Sequence, residues 1–412
     1  MNYQDKPKPR FFYGWIVVAC CFICCFSYGL FYTLGVFFTT LRSEFGWSSA
    51  LTSSIHSLHL LVFIPSTFLM GWLGDKYGPR LPIILGAIFF GIGFSLLSKV
   101  NSLSQFYLFY AIASLGAGII WSLPTATVQK WFIKNSGLAL GIVVAGVGAA
   151  EMVFPPLAEH LISSYGWRTA YIQMGVGVAV LLLIASLGAT TLERKGLQPY
   201  GTESLTQQEM VRKALSEVSW SRSEALRNKT LWLICAFYFC SVLPIHMLAI
   251  HLVPFAESIG IERAIAARLW ILVGGMSILG RVFAPTFVEG TIGWRKGLII
   301  VTAILALSFF WLSMIVSLRM LLVFAVIYGF FYGGKVPLIP GLIRSYFGTK
   351  SLGQLIGIVH AISLIGGAIG PFLAGYIVDV TGIYVVAFLI GAGFLALAAF
   401  LVWLSKAPKE VV

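Results

Sequence analysis

The chain is 412 residues long, 58% hydrophobic and only 10% charged, with a mean hydropathy of +0.91. That composition excludes a water-soluble domain. The net charge of +13 would suit a nucleic-acid binder, but its distribution along the apolar stretches excludes that reading, as shown below.

A membrane-spanning helix needs about 20 mostly apolar residues. Twelve windows qualify, at 14–38, 49–73, 81–98, 103–129, 137–162, 168–190, 230–255, 264–287, 296–317, 320–343, 353–377 and 383–405. They predict an all-α integral membrane protein of two six-helix bundles: an N-terminal bundle 1–190, a cytoplasmic, partly helical linker 191–229 and a C-terminal bundle 230–412. With the amino terminus inside, the inner segments hold Lys6, Lys8, Arg10, Lys76, Arg80, Lys130, Lys134, Arg295, Lys296, Arg344, Lys350, Lys406 and Lys409. The linker adds Arg194, Lys195, Arg212, Lys213, Arg222, Arg227 and Lys229. The outer side holds Arg42, Lys99, Arg168, Arg263, Arg268 and Arg319. This bias is the positive-inside pattern. It predicts a multi-pass protein of the inner (plasma) membrane with both termini cytoplasmic, its partner a lipid bilayer and not nucleic acid. The chain's brevity and short loops favour a bacterial membrane.

The amino-terminal stretch MNYQDKPKPR is short and polar, and the first window is too long for a signal-peptide core, so it reads as a retained helix. All six cysteines (Cys20, Cys21, Cys24, Cys25, Cys235 and Cys240) lie in apolar windows. No His, Asp or Glu stands beside the CCFICC run to complete a metal site, so packing is the expected role and no metal or cofactor is implied. His56 and His59 share a face of the second helix, weak support for a metal. The loop after that helix reads GWLGDKYGPR, in which Gly71 and Gly78 permit close approach and a turn, and Asp75, Lys76 and Arg80 can form a charge cluster. A degraded copy follows the eighth helix, with Glu289, Gly293, Arg295 and Lys296.

One carboxylate lies deep in an apolar window: Glu151 on the fifth helix, on the small-residue face of Gly141 and Gly148. A buried carboxylate near cations can exchange a proton as substrate binds, so Glu151 is the proton-coupling candidate; the alternative is a static ion pair with Arg281 or Lys335. His251, on the seventh helix near the expected cavity mouth, can bind substrate or relay a proton, or be hydrogen-bonded packing. On the eighth helix Arg281 stands alone in an apolar run, with Ser277, Gly274 and Trp270 on its face. An intramembrane charge marks a pathway or a partner, and a guanidinium grips a carboxylate through two parallel hydrogen bonds. On the tenth helix Tyr328, Tyr332 and Lys335 share a face, and Pro337 and Pro340 are expected to loosen the helix beyond them. Lys335 is a second carboxylate contact, a titrating group or half of an internal ion pair; the residues leave these open.

The two bundles repeat at an offset of 216: Gly141-Ile142-Val143 matches Gly357-Ile358-Val359, Pro155, Leu157 and Ala158 match Pro371, Leu373 and Ala374, Gly166 matches Gly382, and Pro124 matches Pro340. Duplicated six-helix halves are one design of secondary carriers, with the substrate site at the midplane between them. No phosphate-binding loop of the GxxxxGK[ST] type, paired carboxylates or nucleophile motif suggests a pump or an enzyme.

The GWLGDKYGPR loop resembles the signature of the major facilitator superfamily. That resemblance implies the two-bundle fold and a role for Asp75, Lys76 and Arg80 in latching one access state. The opening YGW with FSYGLFYTLGVFF, and WFIKNSGLALGIVVAGVG before the fifth helix, are similar to the monocarboxylate transporter family and its neighbours, the oxalate:formate antiporters. Arg281 sits where that family keeps a carboxylate-binding arginine. The resemblance implies a monomeric symporter that carries a small monocarboxylate anion, such as lactate or pyruvate, with a proton by alternating access. Substrate contacts are then expected from Arg281, Lys335, Tyr332, Ser277, Tyr32 and His251. Tyr28, Trp121 and Phe331 are candidates to set pocket size. Two departures stand out: family members place an Asp where this chain has Ser277, and a lysine where it has Tyr32. The alternative is a carboxylate exchanger for a dicarboxylate such as oxalate, motivated by the pair of buried cations. Against it, the antiporters' lysine is expected on the eleventh helix, and no lysine lies between Ser351 and Val380.

Overall fold

Lipid offers no hydrogen bonds, so a chain this apolar must satisfy its backbone within each span. The computed structural model describes residues 12–202, 220–348 and 351–408. Among the described residues, twelve spans are long and apolar enough to cross a membrane. We label them α1 (Gly14–Phe45), α2 (Ser49–Tyr77), α3 (Arg80–Leu97), α4 (Leu103–Trp131), α5 (Ser136–Tyr165), α6 (Trp167–Gly188), α7 (Lys229–Ser258), α8 (Arg263–Gly290), α9 (Trp294–Leu312), α10 (Leu318–Phe347), α11 (Leu352–Thr381) and α12 (Val385–Leu404). Lys6, Lys8, Arg10, Arg212, Lys213, Lys350 and Lys409 lie outside the described residues.

Two spans are interrupted, each for a local reason. In α1 the helix stops after Phe26 and again after Tyr32. There the Ser27 and Thr33 hydroxyls donate to the carbonyls of Cys24 (2.7 Å) and Leu30 (2.6 Å), the back-bonding that bends helices. In α4 the break falls at Gly118, packed against Ser66 of α2. The prolines of α10 behave otherwise than expected: Leu318–Phe347 is one continuous helix through Pro337 and Pro340. A buried, tightly packed helix tolerates the lost backbone bonds because its neighbours hold its course.

The first six spans form one group and the last six another. Within the first, α3 packs on α6 and α4, and α1 on α5; within the second, α9 packs on α12 and α10, and α7 on α11 and α12. The duplication is visible in register: α5 and α11 are both 30 residues long, begin 216 positions apart, and stop at Gly166 (φ 77°) and Gly382 (φ 75°). Both stops need a positive φ that glycine adopts freely. The linker is tied to each group in turn. Tyr200 pairs with the α4–α5 turn, accepting from Ile133 and Lys134 at 3.0 Å, and Trp220 donates to Phe347 at the end of α10, also at 3.0 Å.

The groups meet through α2–α11, α5–α8 and α1–α7. Every hydrogen bond between described residues of the two groups lies at mid-depth or on the side away from the chain ends, here called the far side. Asp379, at the end of α11, accepts from the backbone of Ser49 and Ala50 at the start of α2, both at 2.7 Å. Arg263 bonds Glu257 (2.8 Å) and reaches across to Thr40 (2.7 Å). Gly375 lies against the Ser49 carbonyl and Gly35 against that of Ile250. The seam is closed on the far side.

Candidate functional site

A cavity of about 100 Å³ lies at mid-depth between the groups, lined only by residues of α1, α2, α4, α5, α7, α8, α10 and α11. The remaining four spans buttress these from outside. The lining obeys the repeat: Ile120 and Val336, Val144 and His360, and Val147 and Ser363 all face the cavity in pairs 216 apart.

Arg281 reaches the cavity from α8 and is 9% exposed. Its Nη1 donates to Ser277 Oγ at 3.0 Å, one turn earlier. Ser277 Oγ lies 3.1 Å from Glu151 Oε2, across the seam on α5. The other Glu151 oxygen accepts from Tyr332 OH at 3.0 Å, and Tyr332 OH meets Tyr32 OH at 3.2 Å. The phenol of Tyr332 has one hydrogen and gives it to Glu151, so Tyr32 is the donor in that pair. The Arg281 guanidinium also lies 5.7 Å from the centroid of the Tyr332 ring. Glycines make the approach possible. A Cβ at Gly148 would come within 2.6 Å of Arg281 Nη1 and 2.9 Å of Ser277 Oγ, and one at Gly274 within 2.5 Å of the Gly148 carbonyl.

Among the described residues no carboxylate lies within ion-pair distance of Arg281 or Lys335. The direct Glu151 ion pair that the sequence leaves open is therefore replaced by a relay through the Ser277 hydroxyl. The carboxylate expected four residues before Arg281 comes instead from the neighbouring helix α5. With Nη1 taken by Ser277, the Nε–Nη2 edge remains; Nε has no partner among the described residues. That edge has the two-donor spacing that fits a carboxylate. Lys335 is fully buried and turned toward α7, donating to Ser241 Oγ (3.1 Å) and O (3.3 Å) and lying 5.7 Å from the Tyr238 ring. Tyr328 stacks parallel on Tyr332 at 5.5 Å. Trp270 lies 5.6 Å from the Tyr32 ring.

The expected site residues are not all together. His251 lies outside the cavity, in the far-side seam: Nε2 faces Ser53 Oγ (2.9 Å) and the Pro371 carbonyl (3.0 Å), and Nδ1 faces Tyr384 OH (3.3 Å). Its ring nitrogens are taken up by these neighbours, which is the hydrogen-bonded packing that the sequence left open beside a substrate contact. His56 bonds His246 across the seam at 3.0 Å, and His59 bonds Ser114 at 2.9 Å. Among the described residues no group of three or more His, Cys, Asp or Glu is placed to hold a metal ion. Two cavity histidines, His246 and His360, were not singled out from the sequence. The signal for His360 was present, because its repeat partner Val144 lies on the Gly148 and Glu151 helix.

The signature loop also departs from expectation. Asp75 pairs with Lys130 of α4 at 2.9 Å, both well exposed. Lys76 lies over the rings of Trp72 (5.1 Å) and Tyr77 (5.2 Å) instead. Arg80 opens α3, Gly78 takes φ 86°, and Gly71 lies against Ser122. In the second copy Gly293 takes φ 80° and Arg295 donates to the carbonyls of Val402 and Trp403.

The profile of the Major Facilitator Superfamily matches residues 20–318 and 290–412. The chain is 26% identical to monocarboxylate transporter 12 of Xenopus laevis, covering 98% of this chain and 91% of that one. It is 29% identical to monocarboxylate transporter 13 of Rattus norvegicus, covering 96% and 89%. Among solved structures, the D-xylose-proton symporter superposes with a TM-score of 0.78 at 14% identity, over 97% of this chain and all of that one. A bacterial homolog to the human lysosomal transporter Spinster, inward-facing and occupied, gives 0.73 at 15% identity over 97% of each. Profile, full-length relatives and fold agree with a twelve-span, two-group architecture, and the chain belongs to the major facilitator superfamily.

Proposed function

We propose that the protein is a secondary carrier that moves a small monocarboxylate of the lactate and pyruvate class together with a proton. The observation that carries this reading is the Arg281–Ser277–Glu151 relay with an unfilled guanidinium edge. Ser277 has one hydrogen and two acceptors in reach, the Gly274 carbonyl at 2.8 Å and Glu151 Oε2 at 3.1 Å. With Glu151 ionised, Ser277 donates to it and the carboxylate balances Arg281 at one hydroxyl's remove. With Glu151 protonated, its O–H donates to Ser277, Ser277 turns to Gly274, and Arg281 lacks a counter-charge. A substrate carboxylate on the Nε–Nη2 edge restores neutrality. An uncompensated charge is costly in the membrane interior, so proton and anion load together and leave together. This is how the residues at hand fill the places of the family's Asp and Lys. The similarity to monocarboxylate transporters 12 and 13 supports the substrate class.

In this reading 1–190 and 230–412 are the rocking units and 191–229 joins them. The side bearing the chain ends is cytoplasmic, in a cell membrane, and the far-side seam is the outer gate. The signature-loop Asp75 is held within its own half by Lys130. The protein acts as a monomer.

The test is uptake of labelled L-lactate into proteoliposomes under an inward proton gradient. Wild-type uptake is expected to rise with the gradient, and Arg281→Ala and Arg281→Lys to lose it. Glu151→Gln is expected to exchange lactate for lactate but not to concentrate it. Gradient-driven accumulation by Glu151→Gln would remove the coupling argument. Dicarboxylate exchange is the second reading, favoured by Lys335, whose ammonium has no carboxylate partner among the described residues. Oxalate uptake that outcompetes lactate without proton movement would establish it in place of symport.

A further inference from the structure

The cavity has a second polar end that the relay does not use. It is built from α7 and α11, with Lys335 of α10 turned toward α7. His360 of α11 stacks flat on Trp121 of the other half, 5.2 Å between centroids and 12° between planes. Tyr238 of α7 borders it at 6.2 Å. The ring is thus held between residues from both groups, with its position set.

Several polar atoms of this end are engaged. Lys335 is spent on Ser241, His246 Nδ1 faces His56, and the Ser363 hydroxyl donates to the His360 carbonyl at 2.7 Å. His360 Nε2 is buried and has no partner among the described residues. A buried polar nitrogen without a partner is costly and is normally satisfied by protein, water or ligand. The repeat sharpens the point. Of the symmetry-related lining pairs, Ile120 and Val336 are both apolar, and Val144 and Val147 on α5 are replaced on α11 by His360 and Ser363. Ser363 is satisfied within its own helix. Of the two departures from the apolar frame, His360 is therefore the one that still offers a hydrogen bond. The rest of the lining includes the apolar side chains of Val144, Val147, Val242 and Leu364.

We propose that His360 is a specificity-determining residue and that the preferred substrate is a bipolar acid. Its carboxylate sits on Arg281, a short aliphatic segment crosses the apolar middle, and a neutral oxygen acceptor, a ketone or hydroxyl, receives a hydrogen bond from His360. The inference rests on the reading that Arg281 takes the carboxylate. A neutral acceptor fits better than a second carboxylate because Lys335, the cation at this end, is already bonded twice to Ser241.

The experiment compares uptake of pentanoate and 4-oxopentanoate by the full-length protein in proteoliposomes. The two acids differ only in a distal carbonyl. Wild type is expected to favour the oxo acid in kcat/KM by about tenfold, the worth of one well-placed hydrogen bond to a buried donor. In His360→Phe the ratio is expected to fall to about one, and in His360→Gln, which keeps a donor, to recover. The ratio within one preparation is independent of how much protein is active. A ratio near one in wild type, or a ratio unmoved in His360→Phe, overturns the proposal. So does succinate that displaces both acids in wild type but not in Lys335→Gln, which would make this end a charge site. If no acid shows uptake that Arg281→Ala abolishes, the carboxylate reading falls and takes the second pole with it, a result separable from loss of the ratio alone.

Discussion

Asp379 is the end of α11 but caps the start of α2 in the other half, so it tests whether the far-side seam is a latch or mere packing. Its two oxygens accept from consecutive backbone N–H groups at 2.7 Å, where the helix dipole favours negative charge. Asp379→Asn keeps one acceptor and loses the charge and the second. Charge-assisted bonds are worth about 1.5–3 kcal/mol when buried, but Asp379 is exposed, and screening reduces the effect to about 1 kcal/mol. That shifts the balance between far-side closed and open states by about fivefold. The assay is a pulsed electron–electron distance measurement between spin labels at Ser43 and Glu262, which are exposed at the far end of each half, in a background with the six cysteines replaced. Asp379→Asn is expected to enrich the longer distance about fivefold, and about 1 M salt to push the wild type the same way by screening. An unchanged distribution in both would refute the latch and leave the seam to packing alone.

Four further outcomes follow from the site. Gly148→Ala places a methyl 2.6 Å from Arg281 Nη1 and from Ile278 Cγ1; lactate uptake should fall at least about tenfold, with about 1–3 kcal/mol lost in thermal unfolding. Tyr332→Phe removes a donor from Glu151 and should raise the lactate KM about tenfold, at about 1–2 kcal/mol for the lost bond. Tyr32→Phe should do less, because the Tyr332–Glu151 bond of 3.0 Å survives it. Ser277→Asp restores a carboxylate one turn from Arg281; combined with Glu151→Gln it should recover gradient-driven uptake that Glu151→Gln alone loses. Double-variant uptake equal to that of Glu151→Gln would show that the α5 position, and not the carboxylate alone, carries the coupling.

Arg281 and Glu151 were legible in the sequence because an isolated charge in an apolar window is conspicuous. Their connection through Ser277 was not, since two helices 126 positions apart reveal nothing of their crossing to a periodicity argument. The span count was legible for the same reason as the charges. The run of α1 to Phe45 was not, because Thr39, Thr40, Arg42, Ser43 and Glu44 lower the hydropathy where the helix still continues against the other half. His251 was placed in the outer half of its helix, but the sequence could not say that Ser53, Pro371 and Tyr384 take up its ring nitrogens. Asp75 found Lys130 rather than Lys76 because the fourth span returns to the second-helix loop, a fact of topology and not of local spacing. His360 hid as a single polar residue in an apolar run, and only the 216-residue register points to it.

The backbone contact of Gly148 with Gly274 has a mechanical meaning. Where two helices touch without intervening side chains, the halves are joined at a near-fixed distance, and a body turning about such a point moves least beside it. Glu151 and Ser277 each stand three residues from that fulcrum. In the proposed rocking motion the far-side bonds of Asp379 and Arg263 lie at the end of the lever arm and would have to separate. In the proposed carrier the relay at the axle would need only to rotate, and its proton could be handed over in either orientation.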